Sequence, residues 1–114
     1  MANLKIIENE LVPVYQTSTG EKVVYGSELH KVLEVKSNCR EWIKRRFSDI
    51  GAAENADYTT VEISTVSGGA PKKEYIIKLD TAKEMAMLER NDKGKQVRKY
   101  FIQVEEKYKQ TAIN

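Results

Sequence analysis

Arg40, Lys44 and Arg45 stand on one side of a segment, residues 38–50, whose apolar residues recur at helical spacing. Lys36, Ser37 and Asn38 lie at its entrance, and Lys72 and Lys73 close a Gly-Gly loop further along the chain. Lysine and arginine neutralise phosphates, and polar side chains on a helix in the major groove read base edges. The chemistry on offer is therefore nucleic-acid binding, with Arg40, Lys44 and Arg45 at a groove and Lys36, Lys72 and Lys73 on phosphates. The same residues also suit a solvated face, where each charge changes stability by no more than about 0.5 kcal/mol.

Catalytic chemistry has few candidates. The chain carries one histidine, His30, and one cysteine, Cys39. That rules out an internal disulfide and removes the usual metal ligands and proton-transfer bases. His30 has Leu29, Val32 and Leu33 around it, which suits packing, and Cys39 falls on an apolar face beside Trp42. Gly68-Gly69 lies between two strand-like runs and opens no helix, so it is not a phosphate-cradling loop. No paired carboxylates and no nucleophile set stand out. The expectation is a non-enzymatic domain without cofactor or metal.

The chain's 114 residues suit one domain, placed at 1–110, with 111–114 as a tail or the start of a linker. Hydrophobic residues at 40% and charged residues at 32% describe a globular chain. No apolar run reaches membrane-spanning length, and acidic residues interrupt the N-terminal segment where a secretory signal would be apolar, so a cytoplasmic setting is expected. The net charge of +2 conceals a block pattern. Residues 36–50 set five basic side chains against Glu41 and Asp49, and residues 72–99 set nine against five, separated by an acidic stretch with Glu54, Asp57 and Glu62. Two positive blocks of this kind are the footprint expected of a nucleic-acid binder, and they also occur on solvated helices.

The elements that would position these residues follow from pattern. Leu11–Tyr15 and Lys22–Tyr25 read as short strands, the first an edge strand because Pro13 cannot donate to a ladder. Ser27 reads as the cap of a helix ending near Val35–Asn38, and Asn38 as the cap of a second, with Glu41 three residues on. On that second helix Cys39, Trp42, Ile43, Phe47 and Ile50 share an arc opposite Arg40, Glu41, Lys44, Arg45 and Ser48. Arg46 lies inside the apolar arc, so its stem should pack while its head finds a carboxylate. The two helices have the spacing of a helix-turn-helix. Residues 58–66 and 74–79 read as a hairpin whose connection, Ser67–Lys73, is a candidate basic wing. Asp80 reads as the cap of a helix over 81–90 with Ala82, Met85 and Ala86 on one face and Met87 and Leu88 elsewhere. Gly94 marks a break, and a last helix, 95–110, carries the stripe Val97, Tyr100, Phe101, Val104 and Tyr108, with Ile102 off it. The fold class expected is α+β, a small winged-helix-like domain with a short N-terminal β unit, a helix-turn-helix-like pair, a hairpin and two C-terminal helices.

Two stretches together carry a resemblance. They are Ser27–Lys36 (SELHKVLEVK) with Trp42–Arg46 (WIKRR), and the ungapped run Glu74–Ile102 (EYIIKLDTAKEMAMLERNDKGKQVRKYFI). They resemble the AntA/AntB antirepressor domain of temperate bacteriophages, related to KilA-N and Bro-N domains, over roughly Val23 to Tyr108. The resemblance implies the N-terminal module of a protein that relieves repressor control and tips a prophage toward lytic growth in a bacterial host. It leaves two partners open. The domain contacts phage DNA through the basic helix and hairpin, or it binds the phage repressor directly through surfaces such as Met87, Leu88 and Ile102. Antirepressor relatives also make a homo-oligomer compatible with the sequence, although no heptad pattern supports one.

Overall fold

The structure is a computed structural model and describes residues 4–63 and 72–112. Five strands and four helices follow one another as β1 (Lys5–Glu8), β2 (Val14–Gln16), β3 (Lys22–Tyr25), α1 (Gly26–Leu33), α2 (Cys39–Ile50), β4 (Tyr58–Ile63), β5 (Lys72–Lys78), α3 (Leu79–Met87) and α4 (Asp92–Ala112). The strands form one antiparallel sheet in the order β1-β2-β3-β5-β4. The fold is thus α+β, as the element pattern implies.

Side-chain sidedness decides which faces are buried. Trp42, Ile43 and Phe47 of α2 are buried, while Arg40, Glu41, Lys44, Arg45 and Ser48 are exposed, as the helical wheel requires. On α4 the stripe Val97, Tyr100, Phe101 and Val104 is buried and Tyr108 half-buried. These residues join Val12, Val14, Val24, Leu29, Leu33, Ile77 and Met85 in one core between the sheet and the helices. Tyr100 spans it to donate its hydroxyl to the carbonyl of Val12 at 2.7 Å.

Several boundaries differ from the sequence reading, each for a tertiary reason. A strand not anticipated, β1, takes the sheet edge, so β2 is interior and Pro13 lies just ahead of it. Ser27 is not a cap: α1 begins one residue earlier, Tyr25 holds the cap position without a side-chain bond, and Glu74 of β5 accepts the Ser27 N–H at 3.2 Å and the Ser27 hydroxyl. A carboxylate from a distant strand thus serves the helix N-terminus. Asp80 is likewise inside α3, whose cap position is Lys78, and α3 ends at Met87 before the expected Arg90. The helix is interrupted between Met87 and Asp92, but Gly94 is not part of the break. It sits in the first turn of α4, where a Cβ would stand 2.0 Å from the carbonyl oxygen of Glu89, so glycine is needed for the close approach of the α3–α4 turn to the start of α4. The last helix accordingly starts at Asp92 and continues to Ala112.

Candidate nucleic-acid interface

Asn38 fixes the start of α2: its side chain accepts the Glu41 N–H at 3.2 Å, the capping expected of an Asn before a helical run. Gly51, in the left-handed region at φ 69°, closes the other end. Between them the helix is pinned from below by its apolar face and from the side by Arg46. That guanidinium meets Glu89 at 2.7 Å and Asp49 at 2.8 Å, so the arginine in the apolar arc does find carboxylates. The outward face carrying Arg40, Lys44 and Arg45 is therefore held in a fixed orientation.

Facing the first turn of α2 is the loop-proximal end of the β4–β5 hairpin. Ile63 pairs with Lys72 and Glu62 with Lys73, which places both lysines on strand β5. They were expected at the end of a loop. The tip itself, residues 64–71, lies outside the described residues, and so does the Gly-Gly pair of the expected wing.

Helix and hairpin enclose a cleft of about 510 Å³ lined by Asn38, Arg40, Lys72, Lys73, Glu74 and Tyr75, with Ser27, Cys39, Ile43 and Ile63 completing the wall. The fold thus brings together four of the eight residues singled out for nucleic acid, from two segments more than thirty positions apart. Three cations stand against one carboxylate, and the oxygens of that carboxylate, Glu74, already accept from Ser27 and from the Tyr75 N–H at 2.9 Å. By position, the first N–H groups of α2 have no acceptor within the helix, which adds positive potential at the same place. Burial, and then the Glu74 charge, push the Cys39 thiol up from its ordinary range, so it is a neutral wall residue.

The other candidates fall outside this cleft. Lys44 and Arg45 are exposed further along α2, and Arg45 reaches Ser37 Oγ at 3.3 Å. The carbonyl of Ser37 lies 2.8 Å from Nε2 of His30, whose ring lies 5.5 Å from that of Trp42, so the histidine is a packing residue of the α1–α2 turn. Lys36 is exposed in that turn. Met87, Leu88 and Ile102 are exposed at 52%, 38% and 42%. Sequence reasoning missed Ile63, a 46% exposed rim residue of the cleft, and Glu74. Both lie in β-branched or apolar runs that read as ordinary strand, and only the hairpin register reveals them.

The sequence model of the AntA/AntB antirepressor family matches residues 24–91. The chain belongs to this antirepressor family. The matched span runs from β3 through α1, α2, the hairpin and α3, so both walls of the cleft belong to the antirepressor region. It ends one residue before α4 and is shorter than the resemblance drawn to Tyr108. No curated protein and no solved structure matches the chain significantly. No helix among the described residues is long and apolar enough to cross a membrane.

Proposed function

We propose that this domain is the DNA-contacting module of a phage antirepressor, a non-enzymatic, winged-helix-like unit that relieves repressor control of lytic genes in the bacterial cytoplasm. In this reading α1 and α2 act as the helix-turn-helix-like pair and β4–β5 as the wing. Arg40, Lys44 and Arg45 lie toward the groove, Lys36, Lys72 and Lys73 hold phosphates, and Ser37 and Asn38 supply hydrogen bonds at the helix entrance. The observation that carries the reading is the single cleft holding Asn38, Arg40, Lys72 and Lys73. A solvated-charge role would not require two basic segments remote in sequence to face each other.

Direct contact with the repressor is the second reading, supported by the exposure of Met87, Leu88 and Ile102 on and beside the α3–α4 pair. The discriminating experiment is fluorescence anisotropy of the domain with duplex from a phage control region, with random duplex as competitor. Preference above about a thousandfold identifies an operator reader. Absence of binding at low salt, together with complex formation on adding the repressor, replaces the DNA reading with the protein one.

A further inference from the structure

β4 closes one side of the sheet, with β5 as its neighbour and no strand beyond it among the described residues. Two bonds show which way its backbone groups point. The Lys78 N–H donates to the carbonyl of Asp57 at 3.0 Å, so residue 57 faces β5, and by alternation so do Thr59, Val61 and Ile63. Tyr58, Thr60 and Glu62 face outward, and the Tyr58 carbonyl accepts the Asn55 N–H at 2.6 Å. Glu54 bridges to Tyr58 as well, so the loop ahead of β4 covers the edge as far as Tyr58. Beyond it, the outward backbone groups of Thr60 and Glu62 have no partner among the described residues.

Folded proteins blunt such an edge with proline, lysine or a bulge. The stretch Thr59–Ile63 has none of these and pairs with β5 in unbroken register. Its middle residue is Val61. A second copy laid antiparallel about a two-fold at Val61 sets Thr60 opposite the partner's Glu62, and Glu62 opposite the partner's Thr60. Each of these pairs exchanges both N–H to C=O bonds. Val61 meets the partner's Val61 at the axis and the exposed Ile63 meets the partner's Thr59, β-branched pairs that suit adjacent strands. The one charge in the stretch, Glu62, faces threonine and not its own image. We propose that β4 is a self-pairing edge through which two copies of this chain form a two-fold dimer with one continuous sheet. About 17 Å of strand is a short interface by the standard of stable complexes. The dimer is therefore weak in free solution and strengthens when one ligand holds two copies together. That duplex DNA is this ligand rests on the DNA reading above. Phe47 of α2 stacks on Tyr58 at 3.9 Å, which sets α2 over β4 and beside the axis. The two-fold of an antiparallel pair stands perpendicular to the sheet, so both α2 helices lie on the same side, the symmetry of a paired reader on a palindromic duplex.

The test follows sedimentation and the backbone amide resonances from low micromolar to near-millimolar protein. The expected result is a concentration-dependent shift centred on the Thr60 and Glu62 N–H groups, with dimer at the upper end. Val61→Lys and Val61→Glu each set like charges together at the axis and abolish the dimer, and an equimolar mixture of the two restores it. Thr60→Pro removes an outward N–H where an edge strand tolerates proline, and abolishes the dimer with the fold kept. If Thr60→Pro does not fold, the Val61 variants carry the comparison. In the DNA arm, two copies bind a two-fold duplex cooperatively, and Thr60→Pro weakens the second binding event by about tenfold or more while one copy binds a half-site as before. A monomer at every concentration, without cooperativity on DNA, overturns the pairing. A dimer that survives both Val61 variants, or that mixing them does not restore, overturns β4 as its seat. Shifts of Thr60 and Glu62 that appear only on adding the repressor overturn the second copy in favour of a repressor strand. A dimer from a domain that binds no DNA keeps the pairing and overturns the DNA reading. A dimer whose DNA binding is not cooperative keeps the pairing and overturns the shared duplex.

Discussion

Trp42 and Glu89, 47 positions apart in the chain, are joined by an indole N–H to carboxylate bond of 2.9 Å, and Arg46 donates to the same oxygen at 2.8 Å. Trp42 is fully buried and Glu89 follows the end of α3, so this pair of bonds locks the helix bearing the basic face against the turn between α3 and α4. That lock and the apolar contacts below it together set the orientation of Arg40 and Lys44.

Removing the acceptor should loosen the lock measurably. Glu89→Ala leaves a guanidinium and an indole N–H without their shared partner, a loss of about 1–3 kcal/mol. Glu89→Gln retains an acceptor and should lose less. Urea denaturation followed by the fluorescence of Trp42 measures both; equal stability of Glu89→Ala and the parent would show that the bonds contribute nothing.

The two sides of α2 should respond oppositely to truncation. Trp42→Ala empties a fully buried site and costs about 3–5 kcal/mol, a large part of the stability of a domain this size. Arg40→Ala and Lys44→Ala, both on the exposed face, should each shift stability by about 0.5 kcal/mol or less. Paired denaturation curves settle the contrast, and unfolding of the Arg40/Lys44 double variant would mean that the face is misassigned.

Gly94→Ala sets intrinsic helix preference against packing. Alanine is the better helix former by about 1 kcal/mol, yet its Cβ would meet the Glu89 carbonyl oxygen at 2.0 Å. Overpacking of this kind costs about 1–3 kcal/mol, and here the obstacle is backbone, so the net effect should be destabilising. A thermal melt that rises on substitution would show that the α3–α4 turn adjusts freely.

Acid should release the far end of α4. Lys107 donates to Glu8 at 2.7 Å and Tyr108 at 2.9 Å, and these bonds hold the Glu8 carboxyl below its ordinary value of 4.5. A lowered pKa in the folded state stabilises fully above the unfolded value. That contribution fades as pH falls from about 4.5 through the folded value. Glu8→Gln should be less stable than the parent at pH 7 and should lose less on acidification to below 4. Parallel melting curves at the two pH values that shift equally for both proteins would contradict this.

Periodic features of the fold were legible in the residues, and features made by meeting of distant segments were not. Asn38 and the alternation of Trp42, Ile43 and Phe47 with Arg40, Lys44 and Arg45 are local, so α2 and its exposed basic face can be read directly. Arg46 announced itself by falling on the wrong side of its own helix. Lys5–Glu8 gave no such sign: it is a four-residue edge strand with an irregular register against β2. Lys72 and Lys73 look like loop residues because lysine has little preference for strands, and their pairing with Ile63 and Glu62 overrides that. Ser27 resembles a cap, but Glu74 of β5 performs the capping. Of the candidate site, the residue types were visible, whereas the cleft depends on the hairpin register that brings Lys72 and Lys73 opposite Arg40.

On the proposed function, Arg40 and the two lysines of β5 act together on one nucleic acid. The most direct measurement compares the salt dependence of duplex binding by the parent domain with that of Arg40→Ala, Lys72→Ala/Lys73→Ala and the triple variant. Each phosphate contact removed should flatten the slope of log K against log salt by about 0.9. The variants should bind progressively more weakly with their melting curves unchanged. Slopes that stay the same across all four proteins would place the DNA elsewhere on the molecule and contradict the account.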